Sequence, residues 1–121
     1  MKWQFRNDMP IYTQLVEQIK TGIVAGEYKA GERIPSVRDM ATEAGVNPNT
    51  MQRAMAELER EGLVFTHRTS GRQVTEDIEL IEKAKLSLAE RHIDVFMNAM
   101  GELGLSREEI LKLIMKKGED N

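Results

Sequence analysis

The stretch from Gly45 to Leu58, Gly-Val-Asn-Pro-Asn-Thr-Met-Gln-Arg-Ala-Met-Ala-Glu-Leu, constrains this chain more than any other. Asn47 can cap a helix, because its side-chain oxygen accepts from backbone N–H groups that have no partner in the first turn. Pro48 then falls at the first helical position, where a missing N–H costs nothing. Met51, Ala54, Met55 and Leu58 recur at spacings of three and four and form one apolar face. Asn49, Thr50, Gln52 and Arg53 project elsewhere, and such side chains suit base edges and phosphates. The stretch reads as the turn and second helix of a helix-turn-helix.

The preceding segment supplies the partner helix. Ser36 is followed three residues later by Asp39, an N-terminal capping pattern with a carboxylate near the positive end of the helix dipole. Val37, Met40, Ala41 and Ala44 share one face, and Ala41 is small enough for two helices to cross closely. Gly45 follows the last apolar residue and can take the left-handed backbone that ends a helix. After the second helix, Glu61-Gly62 gives a stop. Leu63-Val64-Phe65-Thr66 reads as a strand and Gln73-Val74-Thr75 as its return, with a polar turn from His67 to Arg72 between them. A helix-turn-helix followed directly by a hairpin is a winged helix.

Three stretches resemble the GntR superfamily of bacterial transcription regulators. They are Pro10–Leu15, Gly26–Ala41 with its Arg33-Ile34-Pro35-Ser36-Val37-Arg38 core, and Gly45–Thr50. Asn47-Pro48-Asn49-Thr50 together with Leu58-Glu59-Arg60-Glu61-Gly62-Leu63 is most similar to the YtrA-type branch, and the resemblance covers Pro10 to Thr75. It implies that Ser36 and Arg38 contact phosphate and bases, and that Asn47, Asn49 and Thr50 open the recognition helix. It also implies a wing beside the DNA. Relatives commonly carry arginine where this chain has Pro48 and Gln52, so a different base preference is expected. Their Gly-x-Gly wing tip is replaced here by Thr69-Ser70-Gly71, flanked by Arg68 and Arg72.

Composition bounds the remainder. The chain has 121 residues and a formal net charge of −3. Residues 1–75 hold 10 Lys/Arg against 9 Asp/Glu, and residues 76–121 hold 7 against 11. The acid therefore sits in the tail, and DNA affinity must come from local placement of Arg33, Arg38, Arg53, Arg68 and Arg72. There is no cysteine, so neither disulfides nor thiolate chemistry is expected. No apolar run approaches the roughly 20 residues of a membrane span, and no signal peptide is recognisable, so a cytoplasmic location is expected. With two histidines and no carboxylate cluster at ligand spacing, neither a metal nor another cofactor is expected. No phosphate loop, nucleophile elbow or zincin pattern supports an enzyme. The eight methionines suit adaptable core packing.

Periodicity organises the chain into a winged-helix head, residues 1–75, and a helical tail, residues 76–121. Trp3 and Phe5 alternate around Gln4 as in a short strand. Ile11, Leu15, Ile19 and Ile23 step by four along a first helix over 10–25. Motif helices are expected over 36–44 and 48–61. In the tail, Ile81, Ala84, Leu88, Ala89, His92, Val95, Phe96 and Met100 form a broad stripe on a long helix, broken at Gly101 and Gly104. Ser106-Arg107-Glu108-Glu109 reads as a capping box for a last helix carrying Ile110, Leu111, Leu113, Ile114 and Met115. Apolar residues this numerous on two helices point to a homodimer, with Ile81, Leu88, His92, Val95, Phe96, Met100, Ile110, Leu111 and Ile114 at its interface.

Plainer readings stand beside these. Asn47 reads first as a cap. Arg38 alone would be a surface ion pair with Asp39 or Glu43. His67 fits either a phosphate contact or an exposed strand end, and His92 reads as a packed histidine of the apolar stripe. The expected fold is mainly α with a small β-hairpin: a winged helix-turn-helix followed by two helices. The expected function is sequence-specific binding of a two-fold symmetric DNA operator by a homodimeric transcription regulator, a repressor. The alternative is a winged-helix protein-interaction module without sequence-specific DNA binding. A small-molecule effector, if there is one, is expected between subunits or between head and tail, since two helices alone do not enclose a pocket.

Overall fold

The structure is a computed structural model that describes residues 1–69 and 71–120; Ser70, at the expected wing tip, lies outside the described residues. Five helices and a two-stranded antiparallel hairpin follow in the order α1 (Ile11–Val24), α2 (Val37–Ala44), α3 (Pro48–Arg60), β1 (Val64–His67), β2 (Gly71–Val74), α4 (Ile78–Glu102) and α5 (Arg107–Asp120). Two compact units emerge, Met1–Leu86 and Ser87–Asn121.

The first unit is built as the apolar periods require. Leu15, Ile19 and Ile23 of α1, Met40 and Ala41 of α2, and Met51, Ala54, Met55 and Leu58 of α3 are buried together with Ile34, Leu63, Val64 and Val74. Each large side chain taken from water here contributes about 1.5–3 kcal/mol. The Asn47 side chain accepts from the Asn49 N–H at 2.7 Å and the Ser36 hydroxyl from the Asp39 N–H at 3.1 Å. Gly45 closes α2 with φ 72° and ψ 34°, the left-handed conformation that a side chain would strain.

Two elements depart from the sequence expectation. Trp3 and Phe5 stack and pack against the core, but no strand forms there. The backbone polar groups of that segment are paired by side chains of α1 instead. Gln18 accepts from the Gln4 N–H at 3.1 Å and donates to its C=O at 2.7 Å. Gln14 accepts from the Arg6 N–H at 2.7 Å and donates to the carbonyls of Arg6 and Met9 at 2.9 and 2.8 Å. Four residues of helix rise about 6 Å. Two extended residues span about 6.6 Å. The amides at 14 and 18 therefore match the backbone at 6 and 4 as a neighbouring strand would. Replacing Gln14 by leucine is expected to cost about 1–3 kcal/mol in urea unfolding, since the backbone groups lose their partner. A loss within experimental error would contradict the clamp.

The second departure is that Gly31–Ile34 pairs with the outer edge of the hairpin. The Gly31 N–H donates to the Val74 C=O, the Val74 N–H to the Glu32 C=O and the Ile34 N–H to the Arg72 C=O, at 3.0, 2.9 and 2.9 Å. The hairpin pairs Thr66 with Arg72 and His67 with Gly71.

Leu80, Ile81 and Ala84 at the start of α4 pack against the core of the first unit, which therefore extends past Thr75. In the second unit Leu88 and Ile110 are buried. The capping box forms reciprocally: the Ser106 hydroxyl accepts from the Glu109 N–H at 3.2 Å and Glu109 accepts from the Ser106 N–H at 2.9 Å. Helix α4 runs through Gly101, and the chain turns at Gly104 instead. Among the described residues no helix is long and apolar enough to cross a membrane.

Candidate nucleic-acid interface

An open groove of ≈ 770 Å³ lies between the start of α2, the exposed side of α3 and the hairpin. Segments distant in sequence meet there: Arg33 before α2, Ser36 and Arg38 at its start, Gln52 on α3, Thr66 on β1, and Gly71 and Arg72 on β2. The pairing of residues 31–34 with β2 is what carries Arg33 to the hairpin; a side chain added at Gly71 would stand 3.8 Å from the Arg33 Nε. Gly71 itself has φ +80°, which favours glycine at this bend of the wing.

The charges of the first unit are sorted. Lys20 is paired with Glu61 at 2.6 Å, Arg60 with Glu57, and Arg72 with Glu59 at 2.6 Å. Arg33, Arg38 and Arg68 are exposed and have no acidic partner among the described residues. Arg38 does not make the ion pair with Asp39 or Glu43 that local sequence suggests. Glu43 instead accepts from the Trp3 indole at 3.1 Å. The Val37 and Arg38 N–H groups belong to the first turn of α2, where backbone donors lack intrahelical partners. Unpaired guanidiniums and open backbone donors along one groove wall suit an anion spaced like a phosphate backbone, although the Asp39 carboxylate also lies on that wall.

Glu59 ties the wing to the recognition helix. Its Oε1 accepts from the Thr66 hydroxyl at 2.5 Å and from the Arg72 Nε at 2.6 Å, so one carboxylate holds both residues of a single hairpin rung. Burial pushes this carboxyl upward, but the Thr66 and Arg72 bonds outweigh it and hold Glu59 below its ordinary 4.5. A depressed carboxylate stabilises the fold above its unfolded value and loses that contribution as pH falls through the folded value, so the wing stays clamped at neutral pH.

The site residues read from sequence separate into three groups. Arg33, Ser36, Arg38, Gln52, Gly71 and Arg72 line the groove. Asn47 and Asn49 are exposed at the start of α3, and Thr50 beside them is half-buried. Arg68 is exposed on the hairpin turn and does not line the groove, and Arg53 turns toward α1 with its Cζ 4.1 Å from the centre of the Tyr12 ring. Arg72 differs from expectation in having its charge engaged within the protein. Glu59, Thr66 and Tyr12 were not singled out from sequence; each acts across elements, where periodicity carries no signal.

The tail residues also separate. Ile81 is half-buried on the core of the first unit, and Leu88 and Ile110 are buried within the chain, so these three present little surface to a second copy. Met100 is half-buried and His92 is exposed. Val95, Phe96, Leu111 and Ile114 are exposed, as are Ile93, Leu103, Leu113 and Met115, which the sequence reading left out of the interface.

Residues 11–74 match the bacterial regulatory proteins of the gntR family. The chain is 41% identical over 109 residues to the HTH-type transcriptional regulator YhcF of Bacillus subtilis, covering 90% of each. It is 36% identical over 110 residues to the HTH-type transcriptional repressor YtrA of the same organism, covering 91% of this chain and 72% of that one. Among solved structures, a GntR family transcriptional regulator from Listeria monocytogenes superposes with a TM-score of 0.84 at 41% identity, covering 93% of this chain and 98% of that one. These relatives are regulators, not enzymes. The chain belongs to the GntR family of bacterial regulatory proteins and is a winged helix-turn-helix, DNA-binding transcription regulator with YtrA-type homologues.

Proposed function

We propose that the protein is a cytoplasmic repressor that binds a two-fold symmetric operator as a homodimer. The observation that carries this reading is the groove in which Arg33, Arg38, Gln52 and the wing converge from separate segments. Helix α3 enters the major groove, Asn49 and Gln52 read base edges, and Arg33 and Arg38 meet the phosphates or bases beside it. The exposed apolar side chains of the tail pair two copies, which places two recognition helices on successive turns of the duplex. Repression, rather than activation, is favoured by the likeness to YtrA, itself a repressor.

Amide side chains suit adenine, whose N7 accepts while its N6 donates. Selection of bound duplexes from a random pool is therefore expected to return an inverted repeat with at least one A·T pair in each half-site. Contacted positions made only of G·C pairs would contradict the roles of Asn49 and Gln52. A pool from which no sequence is enriched would favour a protein-binding winged helix instead.

A further inference from the structure

We propose that Tyr12 is a positioning residue for DNA binding, holding the Arg53 guanidinium as a phosphate anchor on the flank of α3 that faces α1. The proposal rests on the operator-binding reading above. Arg53 follows Gln52 by one residue, about 100° further around the helix. Gln52 lines the groove beside the wing, whereas Arg53 lies over the ring of Tyr12 on α1. A recognition helix in the major groove is bounded by a phosphate strand on each side. Arg33 and Arg38 line the groove on the wing side, and Arg53 does not.

Two observations and the nature of the ring contact make Arg53 a prepared group and not an incidental one. Tyr12 packs against the buried core, so its ring is a fixed platform. Glu57, the acid four residues on, is already held: Arg60 donates from Nε to its Oε2 at 2.8 Å and from Nη2 to its Oε1. Arg53 therefore has no acidic partner among the described residues. Finally, attraction to a ring face uses none of the guanidinium's N–H donors, which stay available for phosphate oxygens. Holding the long side chain before binding reduces the rotamer freedom lost on contact.

The test uses the full chain and a selected operator duplex, with affinity measured by fluorescence anisotropy over a range of salt. Arg53→Ala is expected to weaken all sequences alike and to make the salt slope shallower by about one per head. Tyr12→Leu is expected to weaken binding about 2–5-fold, the worth of a ring–cation contact at an exposed site. Tyr12→Phe, which keeps the ring, should bind as the parent does. In the Arg53→Ala background, Tyr12→Leu should have no further effect. Additive losses would assign Tyr12 a merely structural role and overturn the proposal. So would an unchanged salt slope for Arg53→Ala, a substitution at an exposed site that the fold tolerates. A parent protein that bound no duplex would overturn the operator reading itself, whereas a binding parent with an unaffected Arg53 variant would overturn only this assignment.

Discussion

A chain carrying Val95→Glu and Leu111→Glu is expected to sediment as a monomer and to lose roughly 10²–10⁴-fold of its operator affinity. Val95 is 69% exposed and Leu111 53% exposed in the single chain, so a charge at either place costs the fold of one copy little. A charge in an apolar interface between two copies would be desolvated without a partner, which is costly. The exposed row from Ile93 to Phe96, with Leu111 to Met115, is more apolar surface than an isolated small protein usually leaves to water. The affinity loss follows from bivalency: once one head is bound, the second contact is intramolecular at a high effective concentration. Sedimentation velocity and anisotropy on the same samples check both parts. A doubly substituted chain that remained dimeric, or a monomer that bound as tightly as the parent, would remove the basis for this architecture.

Arg38→Ala is expected to cost about 1–3 kcal/mol of operator affinity if the guanidinium contacts a base edge in bidentate fashion. Preference at one position of each half-site should then relax. If Arg38 touches phosphate alone, the loss should be uniform across sequences and the salt slope shallower by about one per head. The fold should be indifferent, because the side chain is exposed and makes no ion pair among the described residues. Comparing parent and variant on the selected operator and on scrambled duplexes separates the two cases. Unchanged binding by a folded variant would exclude Arg38 from the interface.

Periodicity and capping chemistry specify the elements and their faces. The burial of Met51, Ala54, Met55 and Leu58 follows from a 3.6-residue period, and the bonds at Asn47, Ser36 and Ser106 follow from capping chemistry within three residues. These are local effects, set by dihedral preference and by the need to satisfy the first backbone donors of a helix. The family likeness extended that reading to Arg38 and the wing.

Which of the marked side chains act together depends on how distant segments pack. The pairing of residues 31–34 with β2 leaves no mark in the sequence, because the partner lies some forty residues away and a single bridged segment has no period to detect. Trp3 and Phe5 alternate as a strand does, yet their neighbour is a pair of glutamine side chains on α1, which no strand pattern encodes. The stripe on α4 is uniform in sequence but divided in space. Its first turns lie on the core of the head, Leu88 is buried, and Val95 and Phe96 face outward. Hydrophobicity states that a side chain favours burial; what buries it depends on contacts between distant segments. The same holds for charge. Arg53, Arg60 and Arg72 are equivalent in composition, but Tyr12, Glu57 and Glu59 give them three different tasks, because a guanidinium takes its role from the group within a few ångströms of it.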